Sequence, residues 1–383
     1  MYNKTISFIK DLYGNKDFIP LHEPIFNQNE REYVLECIDS TFVSSVGKFV
    51  TKFEEDICEF TGSKYAVACM NGTAALHIAL VVSDVKLNDE VITQALTFVA
   101  TANAIKYCGA HPVFLDSDID NLGLSPDALE KFLISNGEIR SDGFCYNKNT
   151  GRRIKACVPM HVFGNPVKLD ELSDICKKYQ IDIIEDCAES LGSYYKGKHT
   201  GVTSKMSILS FNGNKIITCG GGGIVLTQDE KLAKKLKHLT TTAKIPHTWE
   251  FQHDEIAYNY RMPNLNAALG CAQLESLQSF IDSKKELFKL YEAHFQDTNI
   301  ELLREAPNSK SNYWLQAVVL DNEEQRNMFL EQTNDNSVMT RPIWKLLPDL
   351  VPYQNDLKDE LTNAKNFASR VVNIPSSCNF KGK

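Results

Sequence analysis

Between residues 65 and 227 short apolar runs alternate with stretches of helical periodicity: YAVACM, TAALHIALVV, EVITQA, FVATANAIKYC, HPVFLD and SPDALEKFLISN, then IKACVPMHV, VKLDELSDICKKYQ and IDIIED. This alternation narrows the fold more than any other feature of the chain. Strands separated by helix-length segments form βαβ units, and the crossover helices cover both faces of a mostly parallel sheet. An α/β class is expected. SKMSILSFNG and GGGIVLT then follow one another with a Gly-rich connection and no helix between them. They predict one strand running against the others, and so a mixed sheet.

After about residue 245 the pattern changes. A polar, aromatic stretch (HTWEFQHDEIAYNYRMPN) precedes a long helical pattern from Leu265, with apolar positions at Leu269, Leu277, Phe280, Leu287, Phe288 and Tyr291. NYWLQAVVL reads as a strand, and Pro and Asn punctuate the remainder. Two units are expected: a large ligand-binding domain over 1–245, including the N-terminal segment, and a smaller C-terminal α+β domain over 246–383. The 383 residues suit that division, and no internal repeat is evident.

Charge and composition exclude several function classes. Lys and Arg total 41 against 49 Asp and Glu, and the net charge of −8 repels phosphodiester backbones and acidic membrane surfaces. The opening MYNKTISFIKDLYGNKD lacks the apolar core of a signal peptide, and no stretch reaches the roughly 18 apolar residues of a membrane span. Neither nucleic acid nor membrane is expected as a partner, and a cytoplasmic location is expected. The 11 cysteines are scattered through apolar segments without a C-x-x-C pair, and the nine histidines show no ligand spacing. Reduced, buried thiols and no metal site are expected.

Three candidate sites lie where strands end, the place at which open α/β sheets bind ligands. Asn71-Gly72-Thr73 joins a strand to a helix, where free amides and the helix dipole favour an anion; taken alone it also reads as an ordinary helix cap. Ile183-Ile184-Glu185-Asp186 is an apolar strand ending in two acids, which taken alone reads as a cap of the next turn. Ser210-Phe211-Asn212-Gly213-Asn214-Lys215 ends another strand, and Lys215 is the one charge between Ser207 and Gln228. A lysine in so neutral a turn is placed to lose solvation, as an imine-forming amine requires, whereas most lysines are solvated surface charges.

A phosphate site, a strand-end carboxylate and a desolvated lysine have one chemistry in common, that of pyridoxal phosphate bound to the lysine with its pyridine nitrogen facing an acid. The glycines at 220 to 223 lie between two strands and open no helix, so they do not form a dinucleotide fingerprint.

The stretches NGTAALHIAL, LTFVATANAI, VPMHVFGNPVKLD, IIEDCAESLGSYYKGKHTG, LSFNGNKIITCGGGGIV and YNYRMPNLNAALGCAQLE resemble the sugar-nucleotide aminotransferases of the DegT/DnrJ/EryC1/StrS family. The resemblance runs from IPLHEP near residue 20 to VNIPSS near residue 376. It implies the fold type I (aspartate aminotransferase type) architecture, with 1–245 as the pyridoxal-phosphate-binding domain and a homodimer sharing its active sites. It implies Lys215 as the imine-forming lysine and proton shuttle, and Asp186 as the acid facing the pyridine nitrogen. Ser210 with the amides of Gly72 and Thr73 would hold the phosphate, Phe98 would lie on the ring face, and Asn259 would reach the phosphate from the other subunit. Arg261 is a candidate contact to an acidic part of a substrate. Glu189, by the cofactor hydroxyl, stands where many relatives have Gln or His, and Asn71 where numerous relatives have Ser.

Within the family, SFNGNKIITCGGGG, EDCAESLGS and NYRMPN most resemble enzymes that aminate carbon 4 of a UDP-linked 4-keto-6-deoxy-N-acetylhexosamine, on the way to bacillosamine or legionaminic-type surface sugars of bacteria. L-Glutamate is the implied donor. Lys196, Lys198 and His199 are candidate contacts to the nucleotide, though Lys-Gly-Lys is also an ordinary solvated turn. The alternatives are a GDP-perosamine-type or dTDP-linked keto sugar aminated at carbon 3 or 4, a dehydratase on the same fold, which would replace the lysine by histidine, and a non-catalytic regulator.

Overall fold

The computed structural model describes residues 2–26 and 28–380. At its centre is a sheet of eight strands: β1 (Tyr65–Cys69), β2 (Glu90–Gln94), β3 (His111–Leu115), β4 (Ile154–Val158), β5 (Asp182–Asp186), β6 (Met206–Ser210), β7 (Gly223–Thr227) and β8 (Leu357–Lys358). Their order is β1-β7-β6-β5-β4-β2-β3-β8. Only β7 runs against its neighbours, pairing antiparallel with β1 and β6, and the remaining pairs are parallel. This is the mixed sheet that GGGIVLT predicts, and the architecture is α/β.

Both faces of the sheet are buried, which is why its strands are apolar almost throughout instead of alternating. On one face Val67, Val91, Val158, Ile184, Ile208 and Val225 pack under Leu76, Ile78 and Leu80 of the helix Gly72–Val82. On the other, Ala66, Ala68, Leu209, Ile224 and Leu226 meet Phe49, Phe53 and Ile57 of the helix Lys48–Thr61. A second sheet holds Glu301–Leu302, Gln316–Val319, Val371–Ile374 and Arg341–Pro342, in that order and antiparallel.

The packing departs from a division at residue 245 in three places. The helix Asn3–Leu12 lies on the C-terminal elements: Ile6 and Ile9 share a core with Leu287, Tyr291, Val318 and Val372. The pattern from Leu265 is two helices, Asn264–Glu275 and Leu277–Phe295, meeting at Ser276. The first places Ala267, Ala268 and Cys271 against Phe49 and Phe53, on the large sheet's side. Finally β8, from the C-terminal part of the chain, adds itself to the edge of the large sheet beside β3.

Candidate active site

The carboxyl ends of β1, β5 and β6 converge on one cavity of about 720 Å³. Gly223 lies between two of them, paired with Cys69 of β1 and with Ser210 of β6. A Cβ there would stand 2.4 Å from the Asn71 carbonyl oxygen and 2.7 Å from the Gly72 nitrogen. The Gly-rich connection therefore admits the turn after β1 against the sheet. Gly72 repeats the argument from the other side, since a Cβ on it would be 2.8 Å from Cβ of Ser210. The two candidate phosphate elements are thereby brought into contact.

Asn71 caps the helix Gly72–Val82, its side chain accepting from the Ala74 amide at 2.8 Å. The amides of Gly72 and Thr73 precede the first intrahelical bond and point past the helix end, where partial positive charge gathers. The cap and the candidate anion site are thus the same turn.

Asp186 ends β5 and is 4% exposed. Its Oδ2 accepts from the Thr101 hydroxyl at 2.8 Å and its Oδ1 from the Ala188 amide at 3.1 Å. Burial pushes its carboxyl above the usual carboxylate range, against the pull of those two donors and of Lys215. Among the described residues it has no ion-pair partner. A cation placed opposite Asp186 in the cavity would hold it ionised.

Lys215 follows β6 in the turn opened by Asn212, with the Lys215 amide donating to the Asn212 carbonyl at 2.9 Å. Its Nζ lies 3.2 Å from Glu189 Oε1 and 4.1 Å from the centre of the Trp314 ring. Glu189 is buried and its other oxygen accepts from the Phe163 amide at 2.9 Å. Burial raises its carboxyl as well, with Lys215 opposing. Trp314 is fixed on both sides: its indole N–H donates to the Asn214 carbonyl at 2.7 Å, and Asn312 Oδ1 accepts its amide at 2.9 Å. Phe98, about half exposed, lines the cavity with Trp344, their ring centres 6.4 Å apart.

The structure thus brings Lys215, Asp186, Glu189, Ser210, Gly72, Thr73 and Phe98 to one cavity. It does not bring the other candidates there. Arg261 turns inward, donating to Glu54 Oε1 at 2.8 Å and to the Ala68 carbonyl at 3.1 Å, so its guanidinium is spent bracing β1 and not free for an acidic substrate. Asn259 is exposed on the segment that runs beside β1, outside the cavity lining. Lys196, Lys198 and His199 border a different cavity of about 450 Å³, beside the helix Leu169–Lys178. There Lys196 pairs with Asp170, and the buried His199 ring accepts from the Gly192 amide and donates to the Thr200 carbonyl.

Sequence reading missed Thr101, Trp314, Trp344, Arg341, Lys345 and Asn373, the first of which holds Asp186 while the others line the cavity. Thr101 carries a weak signal, one helical turn past Phe98 in TFVATANAI. The rest come from the C-terminal part of the chain, and nothing local marks them.

The cavity fits pyridoxal phosphate: an anion corner at the Gly72 and Thr73 amides beside Ser210, a buried acid lacking a cation, an amine, and a flat aromatic surface. The DegT/DnrJ/EryC1/StrS aminotransferase family profile matches residues 24–383. Over 359 residues the chain is 34% identical to the GDP-perosamine synthase of Escherichia coli O157:H7, spanning 94% of this chain and 93% of that protein. It is 37% identical over 330 residues to the putative pyridoxal phosphate-dependent aminotransferase EpsN of Bacillus subtilis (strain 168), with 86% and 82% covered. Among solved structures, PseC of Helicobacter pylori, an aminotransferase involved in the biosynthesis of pseudoaminic acid, superposes with a TM-score of 0.85 at 26% identity over 94% of both chains.

Proposed function

For a chain that belongs to the DegT/DnrJ/EryC1/StrS aminotransferase family, and is therefore a pyridoxal-phosphate-dependent sugar aminotransferase, we propose amino transfer from L-glutamate to carbon 4 of a UDP-linked 4-keto-6-deoxy-N-acetylhexosamine, in the cytoplasm and for bacterial surface sugars. The observation that carries the reading is the convergence of Lys215, Asp186 and the Gly72–Ser210 corner on one cavity. The choice of sugar and of carbon 4 rests on the resemblance of SFNGNKIITCGGGG, EDCAESLGS and NYRMPN to enzymes of that specificity.

In this reading the amides of Gly72 and Thr73 and the Ser210 hydroxyl would hold the cofactor phosphate, Phe98 would pack on its ring, and Glu189 would lie by its hydroxyl. Pyridoxal phosphate supplies the electron sink for deprotonating the donor carbon. Asp186 supplies the negative charge facing the ring nitrogen, and its two donors keep that oxygen pair oriented. Lys215 Nζ takes and returns the proton at the reacting carbon. Glu189 and Trp314 flank that amine and limit where it can swing.

The 34% identity with a GDP-perosamine synthase over 94% of the chain favours a second reading, a GDP-linked keto sugar. One experiment separates them. Purified enzyme with glutamate is offered UDP-, GDP- and dTDP-linked keto sugars, and products are identified by mass and NMR. A UDP-linked 4-amino-4,6-dideoxy-N-acetylhexosamine is expected; exclusive turnover of a GDP- or dTDP-sugar, or amination at carbon 3, would refute the first reading. Borohydride reduction of the loaded enzyme should leave the pyridoxyl group on Lys215, and Lys215→Ala should abolish turnover.

A further inference from the structure

Among the described residues, three side chains on the C-terminal wall of the cavity carry donors without a protein partner: the exposed Arg341 and Lys345 and the buried Asn373. Arg341 stands directly opposite Asn373 in the antiparallel pairing of Arg341–Pro342 with Val371–Ile374. Residues paired in this way project from the same face of a sheet, and both line the cavity. Asn373 is 4% exposed, yet among the described residues its Nδ2 has no hydrogen-bond partner. A buried amide donor left unpaired is an unfavourable state that a ligand oxygen would relieve. Lys345, four residues further on, lines the same cavity. Among the described residues neither Arg341 nor Lys345 makes a side-chain hydrogen bond or ion pair. Lys215, the remaining cation of the lining, is taken up by Glu189.

A guanidinium fork beside an amide N–H, with an ammonium nearby, matches the oxygens of a carboxylate or a phosphate. We propose that Arg341, Asn373 and Lys345 form an anion subsite that takes the oxyanion of the substrate: the α-carboxylate of the amino donor, the diphosphate of the nucleotide sugar, or each in its turn. The assignment rests on the aminotransferase reading above, in which donor and acceptor occupy one cavity successively. The subsite is separate from the phosphate corner at Gly72, Thr73 and Ser210, which belongs to the cofactor.

The test is calorimetric titration of the cofactor-loaded enzyme with glutarate, a dicarboxylate that cannot react, and with UDP and GDP. Arg341→Gln and Lys345→Gln are compared with the unaltered protein, and Arg341→Lys keeps the charge without the fork. Arg341→Gln should weaken binding by about ten- to a hundred-fold, the value of hydrogen bonds to a charged group, and Arg341→Lys by less. In turnover the same loss should appear in KM with kcat largely kept. A loss confined to glutarate and glutamate assigns the subsite to the donor carboxylate, and one confined to UDP or GDP assigns it to the diphosphate. Equal binding in all proteins, or no binding to the unaltered enzyme, would overturn the proposal. A protein that aminates no keto sugar but loses anion binding in Arg341→Gln would sink the substrate reading and leave the subsite standing.

Discussion

A buried carboxylate needs donors, and Asp186 has two, the Thr101 hydroxyl and the Ala188 amide. Only the first can be removed by a side-chain change. Thr101→Val keeps the shape of the helix face and deletes the donor to Oδ2. A hydrogen bond to a charged group contributes about 1.5–3 kcal/mol, so kcat should fall about ten- to a hundred-fold while the thermal midpoint stays close to that of the unaltered enzyme. Asp186→Asn should fold normally and lose more, several orders of magnitude, because an amide cannot balance a ring cation. Near-normal turnover in Asp186→Asn at saturating cofactor would show that another acid faces the ring. At this scale the sequence was informative where one residue had an unusual neighbourhood: Lys215 was conspicuous because the charges around it are missing. Trp314, an aromatic in the strand candidate NYWLQAVVL, and Asn373, one Asn among those punctuating the remainder, had no such mark, since both are ordinary until the opposite wall of a cavity is known.

The small three-stranded sheet of Ser309–Lys310, Tyr194–Tyr195 and Lys198–His199 carries a pH dependence of its own. Burial pulls the His199 imidazole down to about 4. The folded chain keeps this ring neutral where the unfolded chain, with an ordinary value near 6.5, has already protonated it. The unfolded state therefore binds more protons between those values, and stability falls as pH drops from about 6.5 to about 4, by about 3 kcal/mol from this one group. In His199→Gln, urea midpoints should be lower at neutral pH but decline less steeply over that interval; an unchanged slope would show that His199 does not titrate this way. Strands β1 to β7 of the large sheet were legible because a strand buried on both faces cannot hide its apolar run, whereas the exposed two-residue β8 has no such run. The helix joint at Ser276 was not, because the apolar spacing of Leu269, Leu277 and Phe280 reads straight across it. Residue size holds the distinction: small side chains at Ala267, Ala268, Gly270 and Cys271 nestle against Phe53 and Cys219, while Phe280, Leu287 and Tyr291 fill wider gaps.

Considered whole, one chain leaves much apolar surface in water. Ile38, Phe42 and Val46 are more than half exposed, Trp249 and Phe251 are each 77% exposed, and Ile256 is 94% exposed. The homodimer implied by the family resemblance is proposed as the cover for these side chains. Sedimentation should return twice the mass of one chain. If Asn259 of the partner subunit completes each phosphate site, mixing inactive Lys215→Ala with inactive Asn259→Asp chains should restore part of the activity in heterodimers. No recovery despite proven subunit exchange would argue against shared sites. The addition of β8 to the large sheet bears on how the protein is made. Residues 357 and 358 close the edge at β3, and the helix Asn3–Leu12 shares its core with residues from Leu287 to Phe380. During synthesis both the open edge and the greasy face of that first helix must therefore stay exposed until more than two hundred further residues have emerged from the ribosome.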